Sequence, residues 1–135
     1  MNKRESEGRD LFAIADLARE FGISTRAIRF YESKGLLTPQ RVGSTRVFRR
    51  RDRARLILIL RGKRLGFSLR DISDYLSLYE ADRTQRAQVS LLVDMVDHRV
   101  ELLEQQLHDL QTTLSELREI RKLATERLAQ TGEPA

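Results

Sequence analysis

The sequence contains no cysteine, which excludes disulfides, thiolate nucleophiles and every thiolate metal site at once. It also lacks long apolar runs. The longest, such as Leu56–Leu60, is five residues, far short of the ~20 needed to cross a bilayer. Met1 to Asp10 are polar and mixed in charge, without the hydrophobic stretch of a secretory signal. No Gly-rich phosphate loop is present and no nucleophile stands out beside a base, so neither an enzyme nor a cofactor is expected. The expectation is a soluble intracellular protein, cytoplasmic and away from membranes. The 135 residues, 33% charged and 40% hydrophobic, allow one domain with an appendage or one elongated domain.

Basic residues are abundant and unevenly placed. Residues 1 to 83 hold 19 Lys and Arg against 11 Asp and Glu, a net of +8, whereas residues 84 to 135 hold 6 against 9, a net of −3. Between Arg41 and Arg64 ten basic residues face a single acid, Asp52. Like charges at that density repel unless a partner neutralises them, and the arginine fork matches phosphate. Double-stranded DNA is the expected partner, associating the protein with the nucleoid; an anionic membrane surface is the weaker alternative.

Along the chain, Ile14, Leu17, Ala18 and Phe21 recur at helical spacing until Gly22, although Ala13 is a poor cap for that helix. A second helix is expected from Thr25 to about Lys34, capped by Ser24, stapled by Ile23 on Ile28 and closed by Gly35. Two short helices around a Gly-containing turn form a helix-turn-helix, whose second helix enters a major groove. After Pro39, the arms Gln40–Val42 and Arg46–Phe48 flank Gly43-Ser44-Thr45 and read as a small hairpin, a wing. A buried helix is expected from about Asp52 to Leu65, ended by Gly66. Another runs to about Tyr79, with Phe67 before the cap Ser68, Asp71 at the third position and Ile72 at the fourth.

From about Arg83 to Ala129 there is neither Gly nor Pro, and the apolar pattern becomes heptadic. Val89, Val93, Val96, Val100, Leu103, Leu107, Leu110, Leu114, Leu117, Arg121, Ala124 and Leu128 alternate steps of four and three, and eleven of these twelve are apolar. A stripe that narrow and that long is a coiled-coil seam, and the simplest partner is a second copy of the chain. The heptads leave parallel and antiparallel pairing open. Asp94, Asp97, His98 and Glu101 share helical spacing, but charged residues outside a seam are usually solvated, and no metal is expected. The domain reading is a tail over 1–10, a DNA-binding domain over 11–80, a dimerisation helix over 83–129 and a second tail over 130–135.

The run IADLAREFGISTRAIRFYESKGLL from Ile14 to Leu37, the Arg-rich wing, and RLGFSLRDISDYL together resemble the MerR family of bacterial transcription regulators. That resemblance covers residues 12 to about 80. It implies a mainly α fold, a winged helix-turn-helix followed by a long dimerisation helix in an antiparallel coiled coil. It also implies a homodimer on a pseudo-palindromic promoter operator, bending and untwisting the DNA before RNA polymerase. By position, Thr25, Arg26 and Arg29 would face the major groove, while Tyr31 and Lys34 would touch backbone. A packing role for the Tyr31 ring stays open. Arg41 and Arg46 would clamp phosphates, with Arg49 beside them on the wing, Phe48 anchoring that wing by packing, and Lys63 and Arg64 near a second wing. Many members carry Gly-Tyr before the wing arginine, whereas Ser44-Thr45 stand here.

Family sensors of mercury, copper, zinc or superoxide use cysteine, and drug sensors append a large domain, so neither kind of effector is expected. The signal in that family is sensed near the start of the long helix, here Asp82-Arg83-Thr84, and after its end. The overall pattern, including Gly43-Ser44-Thr45 in the wing, is most similar to members controlling branched-chain amino-acid or fatty-acid breakdown, which would make the effector an acyl-type metabolite. The competing reading is an architectural DNA-binding or adaptor protein that recruits a partner through its coiled coil and senses nothing.

Overall fold

A computed structural model describes residues 9–81 and 85–132. The chain divides into two units, residues 1–92 and residues 93–135. In the first, strand β1 (Leu11–Phe12) precedes helices α1 (Ile14–Phe21) and α2 (Thr25–Ser33). Strands β2 (Gln40–Val42) and β3 (Thr45–Arg49) follow, then α3 (Arg50–Leu65) and α4 (Leu69–Ala81). Helix α5 (Arg86–Thr131) begins in the first unit and supplies the second.

Each helix boundary has a local cause. The Ser24 Oγ accepts the Ala27 N–H at 3.1 Å, satisfying one of the free amides at the start of α2. The weak cap Ala13 is compensated from inside α1, where the Asp16 carboxylate accepts the Ala13 N–H at 3.0 Å. Helix α3 starts two residues earlier than the expected Asp52, because Asp52 caps from the third helical position and accepts the Arg49 N–H at 2.9 Å. Ser68 accepts the Asp71 N–H at 3.1 Å and opens α4. Gly66 takes a left-handed φ of 92°, which lets the Phe67 N–H reach back to the Gly62 carbonyl at 3.0 Å and reverse the chain between α3 and α4.

The three strands form an antiparallel sheet in the order β1-β3-β2. Strand β1, two residues long, is absent from the sequence reading; it pairs Phe12 with Phe48 and Leu11 with Arg49. Phe48 is fully buried with Leu17, Ile28, Leu36, Leu37, Leu56 and Ile59, so the wing is anchored in the core by an aromatic ring. Of the residues read as an N-terminal tail, Arg9 lies 3.5 Å from Asp16 and Asp10 lies 3.6 Å from Arg50.

Helix α5 runs over 46 residues and reaches Thr131, where Gly132 takes a positive φ of 70°. The apolar heptad residues Val89, Val93, Val96, Val100, Leu103, Leu107, Leu110, Leu114, Leu117 and Leu128 are each between 41% and 63% exposed. The single chain therefore leaves this stripe in water. The residues 82–84 named above as a sensing position lie outside the described residues.

Candidate nucleic-acid interface

Helix α2 buries Ile28 and turns its other side outward. Arg26 and Arg29 are exposed and Thr25 is half-buried, three residues whose spacing puts them on adjoining turns of one face. Neither arginine is ion-paired among the described residues. Tyr31 is half-buried and packs against the core, its ring 5.9 Å from that of Phe30. Phe30 itself is exposed, and the Lys34 ammonium sits 5.5 Å above its ring.

The wing is fastened to α2 by a residue the sequence reading passed over. In the hairpin, Arg41 stands directly opposite Arg46, a like-charge pair that on its own would push the strands apart. Glu32, near the end of α2, lies between them. Its Oε1 accepts from Arg41 Nη2 at 3.3 Å and its Oε2 from Arg46 Nε at 2.5 Å. One carboxylate thus converts a repulsive pair into a clamp that sets the wing beside α2.

The base of the wing is tied by Asp52, the single acid of the basic window. Its carboxylate is fully buried and accepts two backbone amides, Thr38 at 3.3 Å and Arg49 at 2.9 Å, the residues that enter and leave the hairpin. Arg49 itself is turned toward this carboxylate: Nε lies 3.7 Å from Asp52 and Nη2 donates to the Thr38 carbonyl at 3.4 Å. Farther along α3, Arg53 donates to the buried Glu20 of α1 at 2.5 Å. Arg55 donates to the Leu36 carbonyl at 2.8 Å. Lys63 and Arg64 are exposed in the last turn of α3, about 20 Å along its axis from the wing. The structure therefore brings Arg41 and Arg46 to α2 and leaves Lys63 and Arg64 at a separate projection.

Comparison with known proteins agrees with this architecture. A family model described as "MerR HTH family regulatory protein" matches residues 12–78, and one described as "MerR, DNA binding" matches residues 53–120. The HTH-type transcriptional regulator CueR of Salmonella typhi is 32% identical over 78 residues, 56% of this chain and 56% of that protein. The alignment therefore spans little more than half of that relative. An uncharacterised HTH-type transcriptional regulator of Synechocystis is 30% identical over 128 residues, 90% of this chain and 88% of its own length.

The chain belongs to the MerR family.

A solved MerR-family regulator, HiNmlR, which lacks the sensor domain and is bound to promoter DNA, is 28% identical with a TM-score of 0.56. The likeness covers 78% of this chain and 79% of that one. The family models it matches are described as a regulatory protein and as DNA binding, and the relatives named above as transcriptional regulators. The chain carries no thiol, and among the described residues no three metal-ligating side chains converge.

Among the described residues, at least five of the ten basic residues in the window are paired from within the MerR-family head. The acids involved are Asp10, Glu20, Glu32 and Asp52, which partner Arg50, Arg53, Arg41 and Arg46, and Arg49 in turn. Three of them lie outside the window in sequence, so a local charge count misses them. Arg26, Arg29, Arg61, Lys63 and Arg64 have no ion pair among the described residues. The only signal for Asp52 was its isolation among arginines; Glu32 carried none, because its role depends on a hairpin nine and fourteen residues downstream.

Proposed function

We propose that this regulator acts as a homodimer, joined through α5 in an antiparallel coiled coil, on a pseudo-palindromic promoter operator that it bends and untwists before RNA polymerase. The observation that carries this reading is the uncovered heptad stripe on a chain whose reading head is packed without it. Pairing two copies would bury that stripe and place two heads on one duplex. Thr25, Arg26 and Arg29 then face base edges, and Arg41, Arg46, Lys34, Lys63 and Arg64 meet phosphates. Arg49 steadies the base of the wing, and Tyr31 supports α2 while its hydroxyl faces the backbone. Bending costs about 1–6 kcal/mol and is offset by contacts that only the bent duplex permits. A ligand without affinity for thiols adjusts the operator affinity. The protein works in the cytoplasm at the nucleoid; no described helix is long and apolar enough to cross a membrane.

Gel-shift competition tests the reading, using an operator obtained by mapping bound sites across the source genome. The operator should outcompete random DNA by about three orders of magnitude. Binding that is indifferent to sequence would instead leave an architectural protein. Within that assay, Arg29→Ala should cost ~1–3 kcal/mol and relax the preference at one base pair in each half-site. Lys63→Ala should weaken all sequences alike and reduce the salt slope by about 1 for each head. Equal losses on operator and random DNA for Arg29→Ala would remove it from base recognition.

A further inference from the structure

The position of the Glu32 charge matters beyond the fastening of the wing. Glu32 lies one turn beyond Arg29 on α2, so an acid occupies the far end of the face that carries Arg26 and Arg29. Its side chain is 20% exposed, against 24% for Arg46 and 49% for Arg41. A carboxylate on a surface that meets phosphates repels them. A wing built for affinity alone would carry the two cations and no acid.

The contacts leave both arginines able to act while held. Glu32 takes only Nη2 of Arg41 and only Nε of Arg46. Both η nitrogens of Arg46 therefore stay open for a bidentate contact, and neither arginine has another partner among the described residues. The forks are fixed before DNA arrives, so less side-chain freedom is lost when a phosphate lies at that spot. A backbone lying elsewhere gains little from them unless an arginine leaves Glu32, and the uncovered carboxylate then faces the phosphates. On arbitrary DNA, where affinity is almost wholly electrostatic, that exchange is a loss. Where α2 is seated in its groove, the forks already stand beside it and no exchange is needed.

We propose that Glu32 is a positioning residue that determines specificity in DNA recognition. It withholds one of the two charges of the Arg41–Arg46 pair from an arbitrary phosphate backbone, and holds both forks where a correctly seated α2 brings phosphates to them. The inference rests on the reading above that Arg41 and Arg46 meet phosphates.

Salt-dependent fluorescence anisotropy on the full chain tests it, with the mapped operator and a shuffled duplex of the same length as probes. Glu32→Gln raises the net charge of this corner by one, so the salt slope on shuffled DNA should steepen by about 1 for each head bound. Affinity for that DNA should rise about tenfold at low salt, and the preference for the operator should fall by about the same factor. Arg41→Gln should make the slope shallower by about 1 for each head. Combining Glu32→Gln with Arg41→Gln restores the native charge and should bring the slope on shuffled DNA back to its native value. Glu32→Asp keeps the charge and shortens the reach, so it should keep that slope and lower the operator preference at least about threefold. It carries the test if Glu32→Gln does not fold. A staple with no part in selection predicts the opposite sign: Glu32→Gln would loosen the wing, weaken binding to both duplexes and flatten the slope. That result overturns the proposal, as does an unchanged operator preference in Glu32→Asp. A native slope in Glu32→Gln beside a flattened slope in Arg41→Gln overturns the role of Glu32 alone. A native slope in Arg41→Gln removes the wing from the phosphates, and with it the reading on which the role of Glu32 rests.

Discussion

Leu107→Lys should weaken the dimer about a thousandfold or more and leave a monomer at the concentrations of a gel shift. Leu107 lies near the middle of the heptad stripe and is 57% exposed in the single chain, so its side chain contributes to stability only when a partner covers it. Burying a leucine stabilises by ~1.5–3 kcal/mol, and each copy in a dimer carries the substitution. The lysine adds the cost of drawing a charge into an apolar seam. A monomer keeps one reading head and about half of the phosphate contacts, so the salt slope of operator binding should fall to about half. Glu101→Lys, on the same helix outside the stripe, should leave both properties near the native values. Sedimentation velocity and salt-dependent gel shifts measure the two effects. A Leu107→Lys protein that stays dimeric with native operator affinity removes the stripe from the interface.

Asp52→Ala should lower unfolding free energy by about 1–3 kcal/mol, the range for leaving a buried donor without its acceptor. The carboxylate is fully buried and holds two backbone amides, so its removal leaves the Thr38 and Arg49 N–H groups without their acceptor and the Arg49 guanidinium without its nearest carboxylate. Because those amides stand at either end of the hairpin, the wing should loosen before the rest of the head. Hydrogen exchange should show faster exchange at β2 and β3 than at α1. Asp52→Asn, which keeps one carbonyl oxygen, should recover part of the loss. Urea unfolding of the three proteins gives the comparison, and a loss under ~1 kcal/mol for Asp52→Ala would mean the carboxylate does not hold the wing.

The elements readable from residue order are those whose causes are local. Ser24 and Ser68 cap through the amide three positions on. Gly43 supplies the positive φ that a two-residue hairpin needs, and Gly66 the one that ends α3. The heptads show because their period is a property of the string itself. What escaped the reading depends on distance along the chain. Strand β1 is two residues long and exists only because β3 lies beside it. Glu20 meets Arg53 across 33 positions, and Asp52 meets Thr38 across 14. The Arg41–Arg64 window looked far more strongly basic than the folded head is, because Asp10, Glu20 and Glu32 return to it in three dimensions.

Sedimentation equilibrium of the native chain, alone and with one operator duplex, tests the central claim most directly. Two copies in free solution and two copies per duplex are what the proposed dimer requires, with a second chain covering the stripe on α5 and each half of the operator taking one head. A single copy in solution that still binds the operator tightly, one chain to one duplex, would contradict the account.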